Sequence, residues 1–526
     1  MWLSVDEPTR MKTTSLHHSL LVFAVCAAQT ASASNLVVTS AADDGSPGTL
    51  RAALAAAADG DTIDLTGITG TIALDGEQLE VDSSVTILGP GPGLLIVDAQ
   101  QASRVFYIAP ATTVTISGLT IANGYDSVFS DAAGGGILNE LANLTLTNCV
   151  LLDNSAELGA GIFNDAGLLL FGLPGAATLT LIDCTLDGNI SENGAGGAIL
   201  NASLYTAPAS LVVQRCTLSG NAAAHGGGIF NMGNATVQIA NSTLSGNLAT
   251  SEAGGGIDNN QGGVVRLDSC TLSGNNAVNG QGGGIAVQQA TLQIRNTLLN
   301  TGTAGANLWV DPASASTVQS FGYNLSSDDG AGWLTATGDR VNTDPLLGPL
   351  QDNGGPTATH ALLPGSPAID TGAATDIAGS PVATDQRGLA RPQGTAADVG
   401  AFEVEQAPAQ QHEYSWSGVL RPLSADGSSV VKAGSTVPVK FMLTGEDAVI
   451  TDLFATLSYA NVSGGVPGAL NAASTKVHGG GSQFRFDRTA GQYVFNWSTK
   501  GLAAGCYQLF IDLGDGVERS VAITLR

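Results

Sequence analysis

Cys216-Thr-Leu-Ser-Gly-Asn221, followed by Gly226-Gly-Gly-Ile229, decides the fold because both blocks recur along the chain. The first block returns as Cys149-Val-Leu-Leu-Asp-Asn154, Cys184-Thr-Leu-Asp-Gly-Asn189, Ser242-Thr-Leu-Ser-Gly-Asn247 and Cys270-Thr-Leu-Ser-Gly-Asn275, with a degenerate copy at Thr297-Leu-Leu. The glycine tetrads start at Gly134, Gly159, Gly196, Gly226, Gly254 and Gly282, in steps of 25, 37, 30, 28 and 28 residues. Before each first block stand two apolar residues in alternation: Leu144/Leu146, Leu179/Leu181, Leu211/Val213, Val237/Ile239, Val265/Leu267 and Leu292/Ile294. Period-two alternation predicts strands with one buried face. Ile137, Ile162, Ile199, Ile229, Ile257 and Ile285 mark a further strand in each repeat. Helical periodicity is absent from this region.

Side chains that recur once per coil stack when the coils stack, at roughly 4.8 Å per coil in a parallel β-helix. The sequence therefore predicts an all-β chain: a right-handed parallel β-helix followed by a small immunoglobulin-like sandwich. Two asparagine ladders follow from the stacking. One is Asn154, Asn189, Asn221, Asn247 and Asn275, and the other is Asn139, Asn164, Asn201, Asn231 and Asn259. Asparagine tolerates left-handed corners and its amide can bond to copies above and below, so a structural role is expected rather than a ligand-facing one. Cys149, Cys184, Cys216 and Cys270 share one repeat position, which suits small apolar core residues better than a disulfide framework or a metal site. One bridge between adjacent coils stays open.

Working outward, a solenoid needs caps. Residues 34–60 are expected to form the N-terminal cap, with a short helix on Leu50, Ala53, Leu54 and Ala57, Ser46 as N-cap and Pro47 as first helical residue. Coils are expected over 61–340, a segment closing the helix over 341–405, a linker over 406–413 and the sandwich over 414–526. The sandwich is read from alternating segments at Val437–Met442, Leu453–Tyr459, Phe484–Phe486, Tyr493–Trp497, Cys506–Ile511 and Val517–Leu525. Residues 1–33 read as an export signal: Lys12, the apolar run Leu20–Ala28, and Ala31-Ser-Ala33 as the cleavage site. Met11 is an alternative start. Val25 before Cys26 fits a lipoprotein cleavage box poorly. No later run is long and apolar enough for a transmembrane helix. The expected location is therefore secreted or at the cell surface.

The chain has 526 residues, 69 of them glycine, and a formal net charge of −26. Lysine is absent from Thr13 to Val431. Such a surface repels nucleic acid and anionic membranes.

Family resemblance rests on longer motifs. Asp43-Asp-Gly-Ser-Pro-Gly-Thr-Leu-Arg-Ala-Ala-Leu54 looks like the cap of secreted bacterial β-helix proteins, and the repeat blocks resemble those of polymorphic outer-membrane proteins. Asn342-Thr-Asp-Pro-Leu-Leu347, Asn353-Gly-Gly-Pro-Thr357, Gly365-Ser-Pro-Ala-Ile-Asp370, Asp385-Gln-Arg-Gly388, Arg391-Pro392 and Asp398-Val-Gly-Ala-Phe402 resemble the end of the choice-of-anchor Q domain. Val437-Pro-Val-Lys-Phe441 and Gly505-Cys-Tyr-Gln-Leu509 are similar to the PxKF domain. The resemblance implies an extracellular surface protein and transfers no catalytic residue.

Parallel β-helices of the pectin-lyase-like type also carry polysaccharide lyases and hydrolases, so fold alone does not decide function. A lyase needs a base beside a carboxylate, often with calcium. Here the helix offers only Arg51, Arg104, Arg215, Arg266, Arg295 and Arg340. A hydrolase needs converging carboxylates, and Asp153, Asp183 and Asp268 do not share a repeat position. His225-Gly-Gly reads as a corner histidine. Asp512-Leu-Gly-Asp-Gly516 reads as a hairpin turn rather than a calcium loop, so no metal or cofactor is assigned. Asp385, Arg387, Arg391 and Asp398 read as an ion-pair network closing the helix. The expected role is an adhesin-like binder of an extracellular glycan, matrix polymer or surface protein, with an enzyme or an envelope spacer as alternatives. Binding is expected at two insertions, Asp165–Ala177 with Leu168, Leu169, Leu170 and Phe171, and Ala202–Ser210 with Tyr205, because matching repeat positions place loops on one face.

Overall fold

A computed structural model describes residues 33–126, 133–167, 175–203, 207–405, 413–473 and 483–526. Residues 1–32 of the expected export signal, 406–412 of the expected 406–413 linker and the five insertion residues Leu168, Leu169, Leu170, Phe171 and Tyr205 lie outside them. Two compact units meet between Val404 and Glu405.

The first unit is a right-handed parallel β-helix of about ten turns. Its coils build parallel sheets of eleven, ten, nine and six strands. The sequence pattern explains the register. Leu144, Leu179, Leu211, Val237, Val265 and Leu292 pair in one row of the eleven-stranded sheet. Leu151, Leu186, Leu218, Leu244, Leu272 and Leu299 form a row of the ten-stranded sheet. The six tetrad isoleucines form a row of the nine-stranded sheet. All three rows point into one continuous core. Removing this apolar surface from water is the main stabilisation of the stack, at about 25 cal/mol per Å².

Between the leucine and isoleucine rows the chain must turn sharply. The first tetrad glycine takes a left-handed conformation, as Gly226 does at φ +58°. The next faces the adjacent coil so closely that a Cβ on Gly227 would sit 2.4 Å from the Leu248 carbonyl oxygen. At Gly227 a side chain would meet backbone, whereas the second tetrad carries Ala160 at the same position, so the requirement for glycine is local to the coil spacing.

Both asparagine ladders form. Asn154 donates to Asn189, Asn189 to Asn221, Asn221 to Asn247 and Asn247 to Asn275, at 2.8–2.9 Å. Asn139, Asn164, Asn201 and Asn231 each donate to the next copy at 2.7–2.9 Å. All are buried. The left-handed corner belongs not to the first ladder's asparagines but to the residue before each: Asp153, Gly188, Gly220, Gly246 and Gly274. The asparagine side chain is thereby turned inward to bond along the stack.

Cys149, Cys184, Cys216 and Cys270 are buried free thiols, and Cys506 is an exposed one. The four buried sulfurs each donate to the carbonyl two residues earlier, at 3.2–3.4 Å. Burial pushes the Cys270 thiol up to about 12. Because the thiolate is the reactive form, native mature protein is expected to show one fast equivalent toward a thiol reagent, removed by Cys506→Ser. The other four should appear only after denaturation. Fast labelling of the Cys506→Ser variant would contradict a sealed core.

The cap helix runs Leu50–Ala56 and buries Leu50, with Ala53, Leu54 and Ala57 packed against the core. Its N-cap is Thr49, whose hydroxyl accepts from the Ala52 N–H, and not Ser46. Gly48 at φ +92° cannot continue a helix begun at Pro47. At the opposite end Leu334 and Val341 join the core.

The sequence pattern predicts that the 341–405 segment closes the helix end. Residues 345–404 instead run back along the flank, over the outer face of the ten-stranded sheet. Thr217 donates to the Ala358 carbonyl at 2.6 Å, Thr243 donates to Gln386 at 2.7 Å, and Thr271 accepts from the Ala401 N–H at 3.0 Å. His360 lies 2.9 Å from the Ser245 hydroxyl. The threonine of the Cys-Thr-Leu-Ser block faces outward by alternation and so becomes the docking rung for this arm.

The second unit has two separate sheets. One is antiparallel, ordered Thr436–Phe441, Gln492–Ser498, Arg485–Asp487. The other is ordered Ser429–Val431, Arg519–Leu525, Gly505–Asp512, Thr456–Ser463, Val466–Pro467, with only its first pair parallel. Trp497, Tyr493, Phe441 and Phe495 fill the core between them. Asp512-Leu-Gly-Asp-Gly516 lies between two antiparallel strands, and Asp515 pairs with Arg519 at 2.6 Å.

Candidate ligand-binding sites

One concavity arises from coil length. Between the ten-stranded and nine-stranded sheets the chain spans residues 74–78 in the first complete coil, 99–105 in the second and 123–136 in the third. The short first two connections hold no strand. The third holds Tyr125–Asp126, the first strand of the six-stranded sheet. That strand overhangs the shorter connections and is pinned to them by Tyr125 N–H donating to the Ser103 carbonyl at 2.8 Å. The step leaves a cavity of about 940 Å³ against the cap helix.

Its two arginines are consumed in building it. Arg51 forms a bidentate pair with Asp43 at 2.7 and 3.0 Å and donates to the Glu77 and Gln78 carbonyls. Arg104 donates to Gln78 Oε1 at 2.6 Å, to Asp126 at 2.5 Å and to the Ala133 carbonyl at 2.9 Å. The rest of the lining includes the exposed Glu77, Glu80 and Asp82, and Gln101. Tyr125 is 42% exposed. The Ser103 hydroxyl is buried without a hydrogen-bond partner. Apart from Arg51 and Arg104, named only among the scattered arginines, none of the lining was singled out from the sequence; the lengthening of the connections is the signal that could have pointed there.

The two insertions do leave from neighbouring points. Asp165 pairs with Ala202 where they begin, and Ala177 pairs with Ala209 where they end.

A second cleft, of about 420 Å³, lies between the eleven-stranded sheet and residues 376–384. Asp268 is not isolated, as its spacing suggested. It faces Asp376 across this cleft, with Arg266 and Gln238 nearby, and accepts the Ile377 N–H at 2.9 Å. Burial, aided by the Asp376 charge, pushes the Asp268 carboxyl up to about 6. The folded state therefore holds this proton more tightly than the unfolded chain. Its contribution to stability is present at low pH and is lost as pH rises from about 4 through 6. Asp268→Asn keeps an acceptor for Ile377 and is expected to be more stable than the parent at pH 7 by about 1–2 kcal/mol, with the gap vanishing near pH 4. Denaturant unfolding at the two pH values checks this, and a pH-independent gap would refute it. Asp183 is engaged elsewhere, in a bidentate pair with Arg215 at 2.7 and 2.8 Å.

His225 is not alone. Its Nδ1 lies 3.4 Å from Asp258, which also accepts from Gln288 at 3.0 Å. Asp258 occupies a row shared with Tyr107, Leu138, Phe163, Leu200, Phe230, Ala286 and Trp309. The Asp258 contact raises the His225 imidazole, and burial raises Asp258. Among the described residues no cluster of three or more His, Cys, Asp or Glu could hold a metal ion.

Asp385, Arg387, Arg391 and Asp398 do come together, joined by Glu403, which sequence reading missed. Arg391 lies 3.0 Å from Glu403 and Arg387 lies 2.8 Å from Asp385, all four side chains at most 4% exposed. Every carboxylate of the group also accepts backbone N–H donors. This is an internal network holding the arm, with no surface left for a ligand.

No family model matches the chain, and no curated protein or solved structure matches it either.

Proposed function

We propose that this is a secreted or cell-surface protein whose β-helix binds an extracellular glycan, matrix polymer or surface protein without turning it over. The observation that carries the reading is the open step cavity, whose exposed tyrosine, amide and carboxylates are not needed to hold the coils. Concave sites with a few convergent polar groups are the usual seat of small-ligand binding. The export signal ending at Ala33 and the choice-of-anchor Q and PxKF resemblances favour a surface location. An immunoglobulin-like fold for the second unit is supported by its strand order, and by Tyr507, whose hydroxyl near the start of its strand donates to the Ala503 carbonyl at 3.0 Å.

A panel of neutral, amine-bearing and uronate glycans, with matrix polymers and cell envelopes, tests this on the mature chain with calcium present. Retention without turnover is the expected result, and no retention of any of these would overturn the reading. A polysaccharide hydrolase is the second reading. It is favoured by the raised Asp268 beside Asp376, an arrangement able to supply a general acid and a second carboxylate. Turnover abolished by Asp268→Asn would move the assignment there.

A further inference from the structure

We infer that the step cavity under Tyr125 selects uncharged or amine-bearing oligosaccharides and rejects uronates and sulfated glycans. This rests on the binding role proposed above and names the ligand class for that cavity.

The electrostatics decide the sign. The cationic groups in the lining are Arg51 and Arg104. Arg51 is held by Asp43 and Arg104 by Asp126, and both also donate to backbone carbonyls. Meeting an incoming carboxylate would require breaking these pairs. Glu77, Glu80 and Asp82 remain, exposed at the rim, so the cavity presents net negative charge to a ligand. An anionic sugar would be repelled, and the repulsion grows as the walls exclude water.

The same groups suit hydroxyls and ammonium groups. Ionised carboxylates are acceptors only, so they take hydrogen bonds from sugar hydroxyls or pair with an amine. Gln101, exposed in the lining, can both donate and accept. Tyr125, exposed at the overhanging edge, offers an aromatic face to the C–H face of a pyranose or to an ammonium group. This step lies where the connection grows from residues 99–105 to 123–136, at the edge of the six-stranded sheet beside the cap helix, so it provides an end-site rather than a repeated surface.

The test uses the mature chain and three probes: a chitosan oligosaccharide, a neutral cello-oligosaccharide and an oligogalacturonate of similar length. Titration calorimetry compares the parent with Tyr125→Ala and Glu80→Gln, both surface changes whose folding is checked by circular dichroism. At least one of the first two probes should bind, with affinity reduced tenfold or more by Tyr125→Ala. Glu80→Gln should weaken the amine-bearing probe more than the neutral one. Oligogalacturonate should not bind. Preference for oligogalacturonate, or neutral and amine binding unchanged in both variants, would overturn this inference while leaving a glycan-binding role intact. Binding of none of the three would also overturn it, and the matrix and envelope arms of the wider panel would then decide the broader role separately.

Discussion

Asn221→Leu is expected to lower the free energy of unfolding by about 3–5 kcal/mol. Leucine has the same branched skeleton but is larger, so the loss comes from the stranded polar groups with some overpacking, and not from a cavity. Asn221 makes four hydrogen bonds from one buried side chain. Its Nδ2 donates to the Leu186 carbonyl at 3.0 Å and to Asn247 at 2.9 Å. Its Oδ1 accepts the Asn189 N–H at 3.0 Å and the Asn189 amide at 2.9 Å. Leucine would strand the Asn189 N–H and the Leu186 carbonyl inside the solenoid, where water cannot replace the partner. Asn300→Ala is the control. That residue is only half-buried and donates once, to Ser273 at 3.1 Å, so the change should cost less than about 1 kcal/mol. Urea unfolding of both variants measures the difference. Equal, small losses would mean that leucine rows alone hold the coils and that the ladder adds nothing.

The ladders show what the sequence makes legible. A residue that recurs once per coil stacks on itself, so period and register come directly from Asn154, Asn189, Asn221, Asn247 and Asn275 and the leucines between them. The same logic gave the buried rows and the cysteine stack, while period-two alternation alone pointed to the strands of the second unit. It failed wherever a feature occurs once. The flanking arm could not be placed, because nothing in Thr217 or Thr243 says which partner covers an outward hydroxyl. Asp268 and Asp376 are 108 residues apart and meet only through that arm. His225 and Asp258 lie in different coils at different repeat positions. The step cavity is made by a change in coil length, and periodic reading treats such a change as noise. The helix start was misjudged locally, because Ser46-Pro47 has the right chemistry for a cap but Gly48 diverts the backbone before the helix begins.

Arg391→Met is expected to release the flanking arm while leaving the solenoid folded. Arg391 is fully buried, 3.0 Å from Glu403, and donates to the Gly400 carbonyl at 3.0 Å. Burial lowers its own pKa and raises those of Glu403 and Asp398, so the charges are held only by one another and by backbone N–H groups. Removing the cation leaves buried carboxylates uncompensated, a loss of about 3–5 kcal/mol. That loss falls on the 345–404 arm, whose polar anchors on the solenoid include the threonine rungs, Gln386, His360 on Ser245, Thr375 on Arg295 and the Ile377 N–H on Asp268. The expected result is rapid proteolysis within the arm, with the β-sheet circular dichroism of the coils retained. The pH dependence separates charge from packing. Glu403 and Asp398 have raised folded-state values, so their penalty is absent when they are protonated and appears as pH rises above the ordinary carboxylate range. The Arg391→Met defect should therefore shrink at pH 4–5 relative to pH 7, and Arg391→Met/Glu403→Gln should recover part of the protection at pH 7. A defect that is the same at both pH values and is not relieved by the second change would show that Arg391 acts through its packing, and that the carboxylates are already satisfied by the backbone.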